Sequence, residues 1–126
     1  MKRIVSLFCA AILFLTGCGG KNMENYQQIS QEQAKEMMDA GSVVILDVRE
    51  QYEYDAGHIP GAVLLPLGAI DEESAAGVIP DQDADVLVYC RSGSRSKKAA
   101  AALAELGYTA IYEFGGITTW PYEITE

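Results

Sequence analysis

The sequence predicts an α/β fold, a single three-layer domain in which a central, mainly parallel sheet is flanked by helices. Runs of apolar and β-branched residues alternate along the chain with segments of helical pattern. Such unbroken apolar runs are typical of strands buried on both faces of a parallel sheet, and each intervening helix supplies the crossover between two strands. The 126 residues have room for one domain of this kind.

The first elements of the domain are predicted from turn and capping residues. Residues 26–29 form a short strand candidate. Ser30 and Gln33 then form a Ser-x-x-Gln capping box, which predicts a helix that runs to about Ala40. We expect Gly41 to take the left-handed conformation after that helix. The buried face of the helix is expected to consist of Ala34, Met37 and Met38.

The middle of the chain contains two apolar runs and a short helical segment. Residues 43–48 are rich in β-branched side chains and predict a buried strand. Residues 62–65 form a second apolar run, which Pro66 ends. The acidic residues that open segment 71–78 are typical of a first helical turn, and Pro80 follows that helix.

The last part of the domain repeats the alternation. Residues 85–90 predict another buried strand, and residues 96–106 predict an alanine-rich helix. A final strand is expected over residues 109–114, followed by the glycine pair Gly115 and Gly116. We expect that pair to form a tight turn near the functional site.

The N-terminus has the pattern of a secretory signal. Lys2 and Arg3 precede residues 4–15, which carry no charge, and this run is shorter than the roughly 20 residues that a spanning helix needs. Leu15-Thr16-Gly17-Cys18 follows and resembles the lipobox of bacterial lipoproteins, in which the cysteine becomes lipidated. An ordinary signal peptide with a chance cysteine at this place is the alternative.

This pattern predicts three segments: a lipoprotein signal peptide over residues 1–17, a lipid-anchored tether over 18–25 and the folded domain over 26–126. The domain would then be anchored to the cell membrane through Cys18, outside the cytoplasm. The formal charge of −9, from 9 Lys and Arg against 18 Asp and Glu, argues against a nucleic-acid partner. Three cysteines are too few for a disulfide scaffold, and we expect a monomer.

One cysteine has neighbours that favour the ionised form of a thiol. Cys90 ends a predicted strand, at the sheet edge where α/β proteins bind ligands. A short loop and a helix N-terminus follow and offer N–H groups to an anion, with Arg91 and Arg95 adding positive charge. Because the thiolate is the nucleophile, the pattern predicts a reactive Cys90 that is open to solvent. A buried cysteine that acts only as a small apolar residue is the alternative.

Four motifs in order resemble the single-domain rhodanese family. They are Asp47-Val48-Arg49-Glu50 with Glu53-Tyr54, Gly57-His58-Ile59-Pro60-Gly61-Ala62, Cys90-Arg91-Ser92-Gly93-Ser94-Arg95-Ser96, and Gly115-Gly116 with Trp120. The resemblance implies a sulfurtransferase that moves sulfur from an anionic donor such as thiosulfate to cyanide or a thiol, through a persulfide on Cys90.

The resemblance also implies roles for neighbouring residues. The loop from Arg91 through Ser92, Gly93, Ser94 and Arg95 to Ser96 would bind the substrate, with the two arginines on the sulfonate. Arg49 would either lie at the pocket rim or form an ion pair with Asp47. His58 is expected to make structural hydrogen bonds, and Trp120 to lie in the core or the pocket wall. No metal or organic cofactor is implied, and the family commonly has a longer closing segment after its tryptophan.

Two other functions remain open at this point. A rhodanese-like module could bind a partner or carry a persulfide without turnover. A phosphatase or arsenate reductase would use a Cys-x5-Arg loop, whereas Cys90 and Arg95 are separated by four residues. The shorter loop favours sulfur chemistry over the binding of tetrahedral phosphate.

Overall fold

A computed structural model of the chain, which describes residues 25–126, confirms the three-layer α/β fold with its parallel sheet and flanking helices. The predicted signal peptide, Cys18 and nearly all of the tether lie outside the described residues. Within the described part, no helix is long and apolar enough to cross a bilayer.

Five strands form one sheet in the order β1-β5-β4-β2-β3, and every neighbouring pair is parallel. The strands are β1 (Gln27–Gln28), β2 (Val43–Asp47), β3 (Val63–Leu64), β4 (Asp85–Cys90) and β5 (Ala110–Gly116). The helices are α1 (Gln31–Ala40), α2 (Gln51–Ala56), α3 (Glu72–Val78) and α4 (Ser94–Glu105), with 3-10 turns at Leu67–Ala69 and Ile117–Thr119.

The central strand β4 separates two hydrophobic cores, since its side chains alternate between the faces of the sheet. Val86 and Val88 pack on one side with residues of α3 and α4. Leu87 and Tyr89 pack on the other side, in the cluster that contains Trp120. All four of these β4 side chains are fully buried, which explains why the run in the sequence is unbroken rather than alternating.

Helix α1 has the predicted capping box, but the burial of its methionines and the conformation of Gly41 differ from the prediction. Ser30 accepts a hydrogen bond from the backbone N–H of Gln33, whose side chain accepts one from the N–H of Ser30. Ala34 is buried as expected, but Met37 and Met38 are only partly buried, at the margin of the core. Gly41 has the positive φ that favours glycine, +81°, but its ψ of −177° is extended rather than left-handed helical.

Two further helices differ from the sequence prediction. Helix α4 begins at Ser94, two residues earlier than expected, so two loop residues belong to its first turn. Helix α2 was not predicted at all, although Glu50 and Glu53 have the spacing of a capping pair and the N–H of Glu50 donates to Glu53 Oε1.

The C-terminal residues close the Trp120 side of the domain. Thr125 forms an antiparallel bridge with His58 through two backbone hydrogen bonds of 2.7 and 2.8 Å. Trp120 is buried, and its indole N–H donates to the carbonyl of Glu123. The few residues after the tryptophan therefore do provide a closing segment.

Candidate active site

Cys90 is the last residue of β4, and its sulfur is held by the loop that follows. The backbone N–H of Gly93 donates to Sγ at 3.1 Å, and the Ser96 hydroxyl lies 3.5 Å from Sγ. Gly93 has a φ of +111°, a conformation that side-chain-bearing residues rarely adopt, and it turns the chain into α4. The predicted cradle of loop N–H groups and helix N-terminus thus forms around this thiol.

The electrostatic surroundings of Cys90 favour its thiolate, but the thiol is closed to solvent. Burial acts to raise its pKa, whereas hydrogen-bond contacts with Ser96 and with the amides of Gly93 and Ser92 lower it, and the net pKa lies below the ordinary value. Only 1% of Cys90 is exposed. The expectation of an open thiol is therefore wrong, because the same loop that supplies the amides also covers the sulfur.

The two loop arginines have different partners. Arg95 forms two hydrogen bonds with the carboxylate of Glu53, at 2.8 and 3.0 Å, and this pairing lowers the pKa of Glu53 to about 2. The head group of Arg95 thus faces an internal carboxylate in the resting site. Arg91 makes no side-chain hydrogen bond or ion pair within residues 25–126 and is exposed.

Arg49 forms the ion pair that was one of its two expected roles, and it also lines the cleft beside the loop. Its guanidinium donates to Asp47 at 2.7 and 2.9 Å and to the carbonyl of Gly57. The Tyr89 hydroxyl donates to the same Asp47 carboxylate at 2.6 Å, and burial raises the pKa of Tyr89. This buried network holds the ends of β2 and β4 together.

A cleft of about 270 Å³ lies beside the loop. Its walls combine charged and apolar side chains: Arg49, Tyr52, Glu53, Ala56, Arg91, Ile117 and Thr118. Cys90 does not line this cleft, although its neighbour Arg91 does. The sulfur is therefore not exposed in the cleft. A small anion entering this cleft would meet the unpaired guanidinium of Arg91.

The glycine pair lies against the loop, but the tight turn expected at the pair is wrong. Gly115 and Gly116 are the last two residues of β5, because Gly116 still pairs with β4, and the chain turns only in the 3-10 segment Ile117–Thr119. Cys90 is in register with Gly116, and a Cβ on Gly116 would lie 2.0 Å from the Arg91 carbonyl oxygen. Gly115 has a φ of +93°. Only glycine at position 116 lets β5 approach the backbone of the loop this closely.

The remaining predicted residues have structural or exposed positions. His58 stacks on Tyr54 with ring centroids 3.7 Å apart, and its Nδ1 lies 2.9 Å from the Tyr54 carbonyl. The structural role expected for His58 is confirmed. The side chains of Ser92 and Ser94 are exposed, whereas Ser96 is fully buried. Residues 25–126 contain no cluster of three or more His, Cys, Asp or Glu side chains able to hold a metal ion.

Sequence reasoning missed Glu113 of β5. This carboxylate is 2% exposed and accepts hydrogen bonds from the Ser96 hydroxyl and from the N–H of Gly115. An acidic residue inside an otherwise apolar strand, two places before the glycine pair, was the signal that could have identified it.

Comparisons with known proteins agree on the family. The model of the rhodanese-like domain matches residues 30–122. Thiosulfate sulfurtransferase GlpE of Coxiella burnetii is 38% identical over 96 residues, which cover 75% of this chain and 87% of that protein. The corresponding protein of Pseudomonas fluorescens is 36% identical over 110 residues, 82% of this chain and 95% of that one.

Solved structures give the same result. A rhodanese from E. coli, solved with anions, has a TM-score of 0.62 and 32% identity, covering 67% of this chain and 98% of that one. The Helicobacter pylori protein hp1203 has a TM-score of 0.64 and 30% identity, covering 78% and 87%.

Proposed function

This chain belongs to the family of rhodanese-like domains, and we propose that it is a sulfurtransferase in which Cys90 carries the transferred sulfur as a persulfide. The observation that carries this proposal is the position of Sγ, which lies 3.1 Å from the Gly93 amide in a loop whose hydrogen bonds lower the thiol pKa. A site that served packing alone would have no use for such donors.

The reaction has two halves. In the first, the Cys90 thiolate attacks the outer sulfur of a thiosulfate-like donor, and a new S–S bond forms. The bond between the outer sulfur and the sulfonate breaks, and sulfite leaves with its electron pair. In the second half, cyanide or a thiolate attacks the outer sulfur of the persulfide, and Cys90 leaves as a thiolate. The loop amides stabilise the anionic sulfur in both halves, much as an oxyanion hole stabilises an oxygen.

Arg91 is the residue that we assign to the sulfonate of the donor. It lines the cleft, and its guanidinium has no partner among the described residues. Arg95 is already paired with Glu53, so its contribution is to fix the loop against α2 and to add positive potential. Ser92 and Gly93 contribute through their backbone N–H groups.

The closed thiol requires a movement of the loop before the donor can reach it. This observation also favours the second candidate, a module that binds a partner or carries a persulfide without turnover, since 1% exposure leaves little room for attack. The two candidates differ in whether thiosulfate alone sulfurates Cys90.

Mass spectrometry of the protein after treatment with thiosulfate distinguishes them. An enzyme gains one sulfur atom, about 32 Da, on the peptide that contains Cys90, and the gain is lost on reduction and in Cys90→Ser. Sulfite should be released in equal amount. If no adduct forms while a partner protein still binds, the module is the correct function.

We further propose that residues 1–17 are a signal peptide and that Cys18 anchors the domain to the outer face of the cell membrane. The basic N-terminus, the short apolar run and the Leu15-Thr16-Gly17-Cys18 motif support this. Fractionation of cells that express the full chain tests it. The wild-type protein should incorporate labelled fatty acid and remain with membranes, whereas Cys18→Ser should do neither; an equal distribution of both would contradict the anchor.

A further inference from the structure

Glu113 is a buried carboxylate for which the sulfur-transfer mechanism has so far no use. It lies on β5 with 2% of its surface exposed. Its Oε2 accepts hydrogen bonds from the Ser96 hydroxyl at 2.5 Å and from the Gly115 N–H at 2.9 Å. Lys97 Nζ lies 3.9 Å from the other oxygen. Oε2 therefore accepts from two donors, and an ammonium group lies beside the other oxygen.

Ser96 connects this carboxylate to the sulfur of Cys90. Its hydroxyl has one proton, and the shortest contact of its Oγ is with Glu113. With that proton directed at Glu113, the contact of 3.5 Å between Sγ and Ser96 Oγ is made by the S–H of Cys90. The resting site therefore holds a directed chain from thiol to hydroxyl to carboxylate.

While the loop is closed, this chain is the route by which the thiol proton can leave. With 1% of the residue exposed, water does not take the thiol proton directly in this closed state. The backbone N–H groups that surround Sγ can only donate. Among the described contacts of Sγ, the Ser96 hydroxyl alone can accept a proton and pass one on.

We propose that Glu113 is a positioning residue that takes up, through Ser96, the proton that Cys90 loses when its thiolate forms. The proposal rests on the proposed function, in which that thiolate is the nucleophile. The S–H bond breaks and its proton moves to Ser96 Oγ, while the original Ser96 proton moves to Glu113 Oε2. The electron pair of the S–H bond stays on sulfur.

The transfer also reorients the hydrogen bonds in favour of the thiolate. Neutral Glu113 now donates to Ser96, and the Ser96 hydroxyl donates to Sγ. When cyanide or a thiolate removes the outer sulfur and Cys90 departs as a thiolate, the same chain returns the proton. The other charged groups that face these three residues are Lys97 beside Glu113 and Arg95, paired with Glu53, beside Cys90.

The test compares Glu113→Gln with the conservative Glu113→Asp. Glutamine keeps the shape and accepts the same two hydrogen bonds, but it cannot take up a proton. Two rates are measured on the full chain from about pH 6 to pH 10: alkylation of Cys90 by iodoacetamide, and transfer of sulfur from thiosulfate to cyanide. In Glu113→Gln both should fall about 100-fold near neutral pH, as is usual for the loss of a proton acceptor.

The deficit of Glu113→Gln should shrink to a few-fold toward pH 10, because hydroxide replaces the missing acceptor in molecules whose loop has opened. Glu113→Asp should retain most of the neutral-pH rate. If Glu113→Gln does not fold by circular dichroism, Ser96→Ala cuts the same chain with the carboxylate in place and should show the same pH-dependent deficit.

Three results would overturn the proposal: a deficit that is constant across pH, wild-type rates in Glu113→Gln, or faster alkylation of that variant at neutral pH. The first would mean that Glu113 only holds the loop in place, and the third that its charge only opposes the thiolate. Alkylation needs no sulfur donor, so this comparison remains valid even if the wild-type protein forms no persulfide, and the two proposals fail separately.

Discussion

A single methyl group at Gly116 should displace the active-site loop. The added Cβ would lie 2.0 Å from the carbonyl oxygen of Arg91, 2.2 Å from its carbonyl carbon and 2.5 Å from the nitrogen of Ser92, whereas ordinary contact begins at 3.4 Å. The backbones must therefore separate by about 1.4 Å. The φ of Gly116, −149°, suits any residue, so the effect of Gly116→Ala comes from this collision and not from strain at position 116.

The loop cannot move away without weakening two hydrogen bonds. Thr118 donates to the same Arg91 carbonyl through its N–H at 3.1 Å and its hydroxyl at 3.0 Å. Overpacking and the weakening of these two hydrogen bonds predict a loss of about 3 kcal/mol in the free energy of unfolding. Because a displacement of 1 Å at a reacting group commonly costs about 100-fold in rate, sulfur transfer should fall by about that factor in molecules that remain folded.

Urea unfolding and thiosulfate–cyanide turnover measure the two effects of Gly116→Ala. Gly77→Ala is the matched control, since a Cβ at this helical position meets no atom within 4 Å and its φ is not positive. The control should keep full activity and gain up to about 1 kcal/mol of stability. If Gly116→Ala turned over thiosulfate within about twofold of wild type, the close approach of β5 to the loop would not position the active site.

Three other changes have definite expected outcomes. Glu53→Gln removes a carboxylate whose pKa is lowered from 4.5 to about 2 by its hydrogen bonds with Arg95. The pair of Glu53 and Arg95 therefore stabilises the fold above pH 4.5, and this contribution is lost as the pH falls toward 2. The variant should be about 1 kcal/mol less stable at pH 7 in urea melts, and the gap should close below pH 4.5. Tyr89→Phe removes the hydroxyl that donates to Asp47 and accepts from the Ile59 N–H, and should lower the free energy of unfolding by about 2 kcal/mol; no measurable loss would mean that the network is not stabilising. Arg91→Ala should raise the KM for thiosulfate about 10-fold with kcat little changed, whereas an unaltered KM would remove Arg91 from the donor site.

The elements that sequence reasoning predicted correctly depend on local signals. The Ser30 capping box marks the start of α1, and the unbroken apolar run marks the buried strand β4. The glycine pair was expected to form a turn, but its pairing with β4 keeps it in β5. Helix α2 was missed because its six residues are too short for a periodic pattern and none of them is buried.

The details of the site that were not predicted depend on contacts between distant parts of the chain. Arg95 and Glu53 are 42 residues apart, and Ser96 and Glu113 are 17 residues apart. Both contacts depend on which strands lie beside β4. That strand order cannot be predicted from the composition of any single segment. The motif identified the nucleophile, while its closure from solvent follows from how the loop packs on β5.

The register of β1 shows at which edge of the sheet the described chain begins. Gln27 is level with Tyr112, and Tyr112 is level with Leu87, so the chain enters the sheet three residues, about 10 Å, behind Cys90 and travels toward it. The described chain therefore starts toward the sheet edge that lies away from Cys90, while Cys90 and its cleft lie at the edge toward which the strands run. A support attached at residue 25 would leave that second edge open to small diffusing anions.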